Sequence, residues 1–449
     1  MLYRKIEKDI RNYLEETSNK ILLIEGARQI GKSFIIRYVG KEMFPHFVEL
    51  NLVEDKQGPR YFENVRSTED FYLVLSSIYG SNLNNSKDTL VFIDEIQEYP
   101  QLITLLKFLR QENRYRYIAS GSLLGITLKR TTSIPIGSIQ IKEMYPLDFE
   151  EFLIANNIGT DTISYLKECY DKNLSPNNGV HERILSIFKR YLIVGGMPDA
   201  VNEFLTTKNI TKIREIQNDI HRLYGDDATK YDEENKLKIK RIYNLLPSFL
   251  AQKKKRLVFK DIEDKKGKRS KEYEEEIDYL IDSGITLKTK AISNPKFPLM
   301  ESEQKNLLKL YLNDVGILSG LLYKTNIKPL IDNETSVNLG AVYECVVAME
   351  LKSLGHSLFY YDNKKYGEVD FLIDDFSLLS VVPIEVKSGK DYKVHSSLSR
   401  FVTTEEYGIK EGVVLSNTGE IHLDGKIRYL PVYMSMFLGN GEIEEETNW

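Results

Sequence analysis

Short runs of four to six apolar residues, each closed by small or charged positions, punctuate the first 150 residues, and stretches with helical spacing fill the intervals. Ile21–Ile24, the run Thr89-Leu90-Val91-Phe92-Ile93 and the run Tyr115-Arg116-Tyr117-Ile118-Ala119 read as strands, because short apolar runs bounded by turn signals suit a sheet covered on both faces. Phe34-Ile35-Ile36, Phe71–Tyr79 and Gln101–Gln111 read as helical. Strand alternating with helix is the rhythm of βαβ units, so the pattern predicts an α/β fold with a parallel sheet between helices. Ligands of such sheets lie beyond the carboxyl ends of the strands, which makes the residues after each apolar run the place to look for chemistry.

Beyond position 150 the pattern changes. Phe149 to Thr206 is helical in spacing, interrupted by Ser175-Pro176-Asn177-Asn178-Gly179 and by the turn Gly195-Gly196-Met197-Pro198. Apolar Leu237, Ile239, Ile242, Leu245, Leu246 and Leu250 predict a helix over Lys236–Leu250; a short segment at Val258–Ile262 and a longer one at Arg269–Ser283 follow. Three helices and a ribbon over Thr286–Pro298 suggest a winged helix. Tyr273, Ile277, Leu280 and Ile281 share the core face of its longest helix, and the expected exposed face carries Glu272, Glu274, Glu275, Glu276 and Asp278, which a phosphate backbone would repel. A structural or protein-docking role therefore suits this helix better than reading DNA.

Composition narrows the class. A chain of 449 residues exceeds what one core supports and implies two to four domains. With 42% hydrophobic and 28% charged residues and no run of eighteen apolar positions, the expectation is a soluble, globular, cytoplasmic protein with no membrane partner. The charged N-terminus does not read as a secretory signal. Cys169 and Cys345 form no CxxC, which excludes a cysteine-ligated zinc site. Net charge is -5, yet Ala251–Lys271 holds ten Lys/Arg against three Asp/Glu. Such a patch is either a docking site for phosphate or a solvated surface.

Chemistry enters at Gly26-Ala27-Arg28-Gln29-Ile30-Gly31-Lys32-Ser33, which fills every position of the phosphate-loop pattern between a strand and a helix. Two glycines let the backbone wrap phosphate oxygens, successive N–H groups and a helix N-terminus face the anion, Lys32 reaches the β/γ-phosphates and Ser33 ligates Mg²⁺. The expected ligand is ATP with Mg²⁺. Asp94 and Glu95 end the second strand as a Walker B pair, Asp94 for the metal's water and Glu95 for the attacking water. Ser120, in Ser120-Gly121-Ser122, ends the third strand, where a hydroxyl can sense the γ-phosphate.

The motifs GARQIGKS (26–33), FIDEIQ (92–97), ASGS (119–122), YPLDFEEFL (145–153) and GGMP (195–198) occur in the order seen in a prokaryotic AAA-type ATPase family with a C-terminal region of unknown function, and the chain resembles that family over essentially its whole length. The resemblance implies a P-loop AAA+ core at 1–150, with Lys32, Ser33, Asp94, Glu95 and Ser120 in its phosphate-loop, Walker B and sensor roles; the helical spacing beyond it fits a lid at 151–206 and a winged-helix-like connector at 207–330, ahead of a C-terminal domain at 331–449. The resemblance also implies completion of the site across subunits of a homo-oligomer. The family often carries Gly-Arg shortly before YPL, where this chain has Gly137-Ser138; if that arginine reaches a nucleotide, either Arg116 or Arg130 substitutes for it or hydrolysis here is slow.

A second constellation lies in the last third. Gly367–Ile373 and Pro383–Gly389 are apolar strands carrying Asp370, Glu385 and Lys387, and period-two alternation places Glu385 and Lys387 on one face. Two carboxylates can hold Mg²⁺ or Mn²⁺ while a lysine positions water against a phosphodiester. The arrangement resembles the restriction-endonuclease-like PD-(D/E)xK core, and Glu344, in the helical run Gly340–Leu354, resembles the carboxylate which that fold contributes from its first helix. The functional expectation is an AAA+ ATPase coupled to a nuclease-like domain acting on DNA. The alternative is a regulatory ATP-binding switch whose C-terminal domain is silent and docks a protein or nucleic acid.

Overall fold

The computed structural model describes residues 1–16, 20–80, 83, 88–123, 125, 127, 136–231, 236–263, 270–332, 337–363, 367–389 and 392–439. The chain divides into two compact units, Met1–Tyr145 with Asp282–Ile285, and Pro146–Ile281 with Thr286–Trp449.

In the first unit, α1 (Ile6–Glu15) precedes β1 (Ile21–Glu25), α2 (Lys32–Met43), β2 (His46–Asn51), α3 (Leu52–Gln57), α4 (Thr68–Tyr79), β3 (Thr89–Asp94), α5 (Pro100–Glu112), β4 (Arg116–Gly121) and β5 (Ile139–Glu143). The five strands are parallel, in the order β2-β3-β4-β1-β5. Every residue of β3 is buried, as its unbroken apolar run predicts for a central strand covered on both faces. Helix starts follow local chemistry: Ser67 and Asp70 form a capping box on α4, and Pro100 opens α5. α2 differs, since its N-cap is Gly31 at φ 93° with no side-chain cap, so its first N–H groups have no side-chain acceptor there.

The second unit begins with α6 (Phe149–Ala155), α7 (Thr160–Lys172), α8 (Asn178–Val194), α9 (Pro198–Thr207) and α10 (Ile210–Tyr231). Then come α11 (Lys236–Ala251), α12 (Lys260–Glu263), α13 (Glu274–Asp282), β6 (Thr286–Ile292), β7 (Glu303–Leu312), α14 (Val315–Tyr323), α15 (Lys328–Asp332) and α16 (Gly340–Ser353). It ends with β8 (Leu358–Asn363), β9 (Gly367–Asp375), β10 (Ser380–Val386), α17 (Ser396–Thr403), β11 (Gly412–Ser416), β12 (His422–Asp424) and β13 (Ile427–Pro431). The eight strands form one mixed sheet, β12-β13-β11-β10-β9-β8-β6-β7. Within it β8, β9 and β10 run as an antiparallel meander, and β11 lies parallel to β10 after the α17 crossover. No described helix is long and apolar enough to cross a membrane.

The expected winged helix takes a different form. The three helices are present, and β6 pairs with β7 as a hairpin, but β6 also pairs in parallel with β8. The hairpin is thus the edge of the large sheet rather than a free wing, and that sheet runs across the expected boundary at 330. On α13, Tyr273 just before it, Ile277 and Leu280 are buried as their spacing predicts, whereas Glu276, expected on the exposed face, is 3% exposed and lies 3.6 Å from Lys238. A buried carboxylate needs a partner, and the lysine from α11 supplies it.

The segments that resemble a family signature converge in this unit. The Leu147 N–H donates to the Gly196 carbonyl (2.8 Å), the Tyr191 hydroxyl to the Leu147 carbonyl (2.5 Å), and the Gly196 N–H to Asp314 Oδ2 (2.6 Å). Asp314 Oδ1 caps α14 through the Ile317 N–H (2.8 Å). A Cβ on Gly196 would lie 2.0 Å from the Leu147 carbonyl oxygen, so only glycine allows the approach. YPL, GGMP and the Asn313-Asp314 turn therefore form a packing hub.

Candidate functional site

The phosphate loop joins β1 to α2 at the carboxyl end of the parallel sheet. Gly26 is required by close approach: a Cβ there would meet the Met144 carbonyl oxygen at 2.2 Å. Ala27 and Ile30 are buried beneath the loop, and Gln29 turns it at φ 61°. Lys32 is 5% exposed and donates to the carbonyls of Gly26 (2.9 Å) and Ala27 (2.7 Å). Burial lowers its pKa to about 8, against the pull of Glu95 and Asp94.

The strand ends converge on this loop. Ser33 Oγ donates to Asp94 Oδ2 (2.8 Å), and the Ser120 hydroxyl donates to Asp94 Oδ1. Burial raises the Asp94 pKa, while these two hydroxyls pull it back. Glu95 sits at φ 55°, and its Oε2 accepts from Gln97 Nε2 (2.5 Å), Ser122 Oγ (2.9 Å) and the Ser122 N–H (3.2 Å). Arg28 Nε reaches Ser122 Oγ at 3.3 Å. Gln97 and Ser122 are partners that sequence reasoning left unassigned, although both lie inside the quoted motifs. Arg116 does not reach this chain's own loop: it stands at the amino end of β4, opposite the loop, donates to the carbonyls of Tyr13 and Glu16 and lies over the Tyr13 ring at 4.7 Å. Arg130 falls outside the described residues.

In the second unit the four residues expected to act together do come together. Glu344 lies in α16, whose positions from Ala341 to Leu351 are all buried, so its charge must be met internally. The Tyr311 hydroxyl donates to Glu344 Oε2 (2.8 Å), and Lys255 Nζ pairs with Glu344 Oε1 (2.7 Å). Asp370, on β9, accepts the Val386 N–H at 2.8 Å; burial holds its pKa well above the ordinary range, and Glu344 and Glu385 add to the rise. Glu385, on β10, is raised by burial too and is held back by Lys387, whose Nζ is 2.7 Å from Oε1.

Three further members were not singled out from the sequence. Glu368 precedes Asp370 by two, a spacing that placed it on the same face. Lys309, on β7 and fully buried, pairs with Glu368 at 2.7 Å and lies 4.6 Å from the centre of the Tyr360 ring. Burial pushes the Lys309 pKa down, but Glu344, Glu368 and Asp370 outweigh it and hold it above the usual value. Lys255 comes from the basic run and is likewise held up, chiefly by Glu344. Among the described residues no three His, Cys, Asp or Glu side chains are grouped as a ready metal cage.

The strand order, the uncapped helix behind a glycine-bounded loop and the carboxylates and hydroxyls at the neighbouring strand ends fit a P-loop fold of the AAA type. Residues 18–153 match a family described as an AAA domain, residues 185–328 a domain of unknown function (DUF8612) and residues 339–434 a second domain of unknown function (DUF4143). The first of these matches agrees with that geometry: residues 18–153 are similar to an AAA domain.

No curated protein matches the chain. Among solved structures it is similar to the Walker-type ATPase PABY2304 of Pyrococcus abyssi, at 15% identity over 72% of this chain and 96% of that one, TM-score 0.43. It is also similar to the Thermotoga maritima RuvB Holliday junction branch migration motor (13%, 64% and 90%, 0.29) and to AMPPCP-bound DnaA from Aquifex aeolicus (11%, 57% and 80%, 0.28).

Proposed function

We propose that the protein binds and hydrolyses ATP and that its nucleotide state controls a metal-dependent, nuclease-like site acting on DNA. The observation that carries the second half is the convergence of Glu344 from α16 with Asp370 from β9 and with Glu385 and Lys387 at the end of β10, the grouping of carboxylates and lysine that the PD-(D/E)xK resemblance implies. One further detail supports it: Glu385 Oε2 is buried and has no hydrogen-bond partner among the described residues, which is the kind of atom a cation satisfies.

At the first site, Ser33 and Asp94 would hold Mg²⁺, whose charge neutralises phosphate oxygens, while Lys32 and the α2 N-terminus orient the anion. Glu95 accepts three hydrogen bonds through one oxygen and retains Oε1 to orient water. Lys32→Ala should abolish nucleotide binding. Glu95→Gln should bind ATP and fail to turn it over; unchanged turnover would place the catalytic carboxylate elsewhere.

At the second site, Asp370 and Glu385 would hold Mg²⁺ or Mn²⁺ with Glu344, and Lys387 would position water near a phosphodiester. A plasmid-nicking assay with Mg²⁺ or Mn²⁺ compares wild type with Asp370→Ala and Lys387→Ala, and cleavage that survives both changes overturns the nuclease reading. A second reading, a silent C-terminal domain that docks a protein or nucleic acid, is favoured by one feature: Lys255 and Lys309 already compensate Glu344 and Glu368. Absence of cleavage with every nucleotide, alongside ATP hydrolysis, would select it.

A further inference from the structure

The basic run after α11 is not a solvated tail at its start. Arg256 pairs with Asp362 at the end of β8, and Lys254 Nζ lies 3.7 Å from the same carboxylate. The Leu257 N–H donates to the Leu308 carbonyl on β7 (3.2 Å), and the Asn338 amide donates to the Ala251 carbonyl (3.4 Å). Between these anchors Lys255 adopts φ 47°, a left-handed conformation costly for a residue with a Cβ, and turns inward with its side chain 13% exposed onto Glu344, 4% exposed. The anchors on either side hold this left-handed turn, which delivers a charged group to a buried carboxylate.

We propose that Lys255 is a built-in counter-ion of the Glu344–Asp370–Glu385 cluster, and that a divalent cation and the seated Gln252–Arg256 run compete for Glu344. The inference rests on the reading of this cluster as a cation site. Its physical basis is charge: with Lys255 seated, one carboxylate that a cation would need is already compensated at 2.7 Å, and a buried carboxylate does not gain fully from two cations at once. Cation binding therefore includes the work of displacing the ammonium, and occupation of the site releases the run. The run leads through Leu257 to β7, which carries Lys309, so release would loosen the cluster on the side of its second lysine.

The test is Mn²⁺ binding to nucleotide-free, full-length protein, followed by electron paramagnetic resonance of free Mn²⁺. Lys255→Met should tighten binding roughly tenfold, or about 1.4 kcal/mol, Lys255→Arg should not, and Asp370→Asn in the Lys255→Met background should remove it. Binding lost on Asp370→Asn but equal in wild type and Lys255→Met overturns the competition and leaves the cation site standing. Binding indifferent to Asp370→Asn, or absent from both proteins, overturns the cation site and the competition together. Wild-type hydrogen exchange decides independently of how Lys255→Met folds: saturating Mn²⁺ should speed exchange across 252–256, and unchanged exchange there with Mn²⁺ bound at the Asp370-dependent site refutes the proposal.

Discussion

The burial of Lys32 should make nucleotide affinity a function of pH. The ammonium donates to the carbonyls of Gly26 and Ala27, is 5% exposed, and has a pKa lowered by burial from 10.5 to about 8. That shift corresponds to about 3 kcal/mol against the charged form. The sign follows from proton counting: the unfolded chain holds the proton up to 10.5 and the folded one releases it near 8, so the cost is fully present below pH 8 and stability rises between those values. A triphosphate needs the charged lysine, so binding above pH 8 must be accompanied by proton uptake. From pH 7.5 to 9.5 the protonated fraction falls roughly 25-fold for a pKa near 8, and the dissociation constant should rise by that factor. Titration with a fluorescent ATP analogue measures it. Lys32→Met should lose binding as Lys32→Ala does, and any residual binding should show no such slope. An affinity flat from pH 7.5 to 9.5 in wild type, or an equal slope in Lys32→Met, would refute the coupling between the buried ammonium and the phosphates.

Two predictions concern the packing hub. Asp314 is fully buried, and burial raises its pKa from 3.8 to about 6 against three backbone N–H donors. The folded state therefore binds the extra proton between pH 4 and 6, and this group's contribution to stability falls as pH rises through that window, by about 3 kcal/mol. Asp314→Asn should remove that part of the wild-type pH dependence in chemical denaturation, and identical profiles would disprove it. Gly196→Ala should destabilise the fold by about 2 kcal/mol or more, since its Cβ would lie 2.0 Å from a backbone oxygen with no flexible side chain to yield; an unchanged melting temperature would show that the Leu147 segment can move aside.

The motifs YPL and GGMP stood out in the sequence as a signature, but their physical meaning did not. Leu147, Gly196 and Asp314 are far apart in the chain and touch only because the α8–α9 turn and the start of α14 pack together. Glu276 was misplaced for a related reason: helical spacing put it with its acidic neighbours, and only the approach of Lys238 from α11 explains its burial. The eight-stranded sheet was equally hidden, since the pairing of β6 with β8 joins segments more than sixty residues apart.

What the sequence determined by itself is the nucleotide site. Phosphate is bound by consecutive backbone N–H groups, so the loop is a contiguous string, and apolar strands announce the carboxylates that end them. Tertiary structure alone decided the surroundings of the second site. Asp370, Glu385 and Lys387 were legible because adjacent strands follow one another in the chain. Lys255 and Lys309, which set the charge of that cluster, lie on segments whose sequences are an ordinary basic run and an ordinary strand. Low-dielectric burial brings these cations to the carboxylates, and burial is a property of how α11, β7 and α16 pack, which no local pattern encodes.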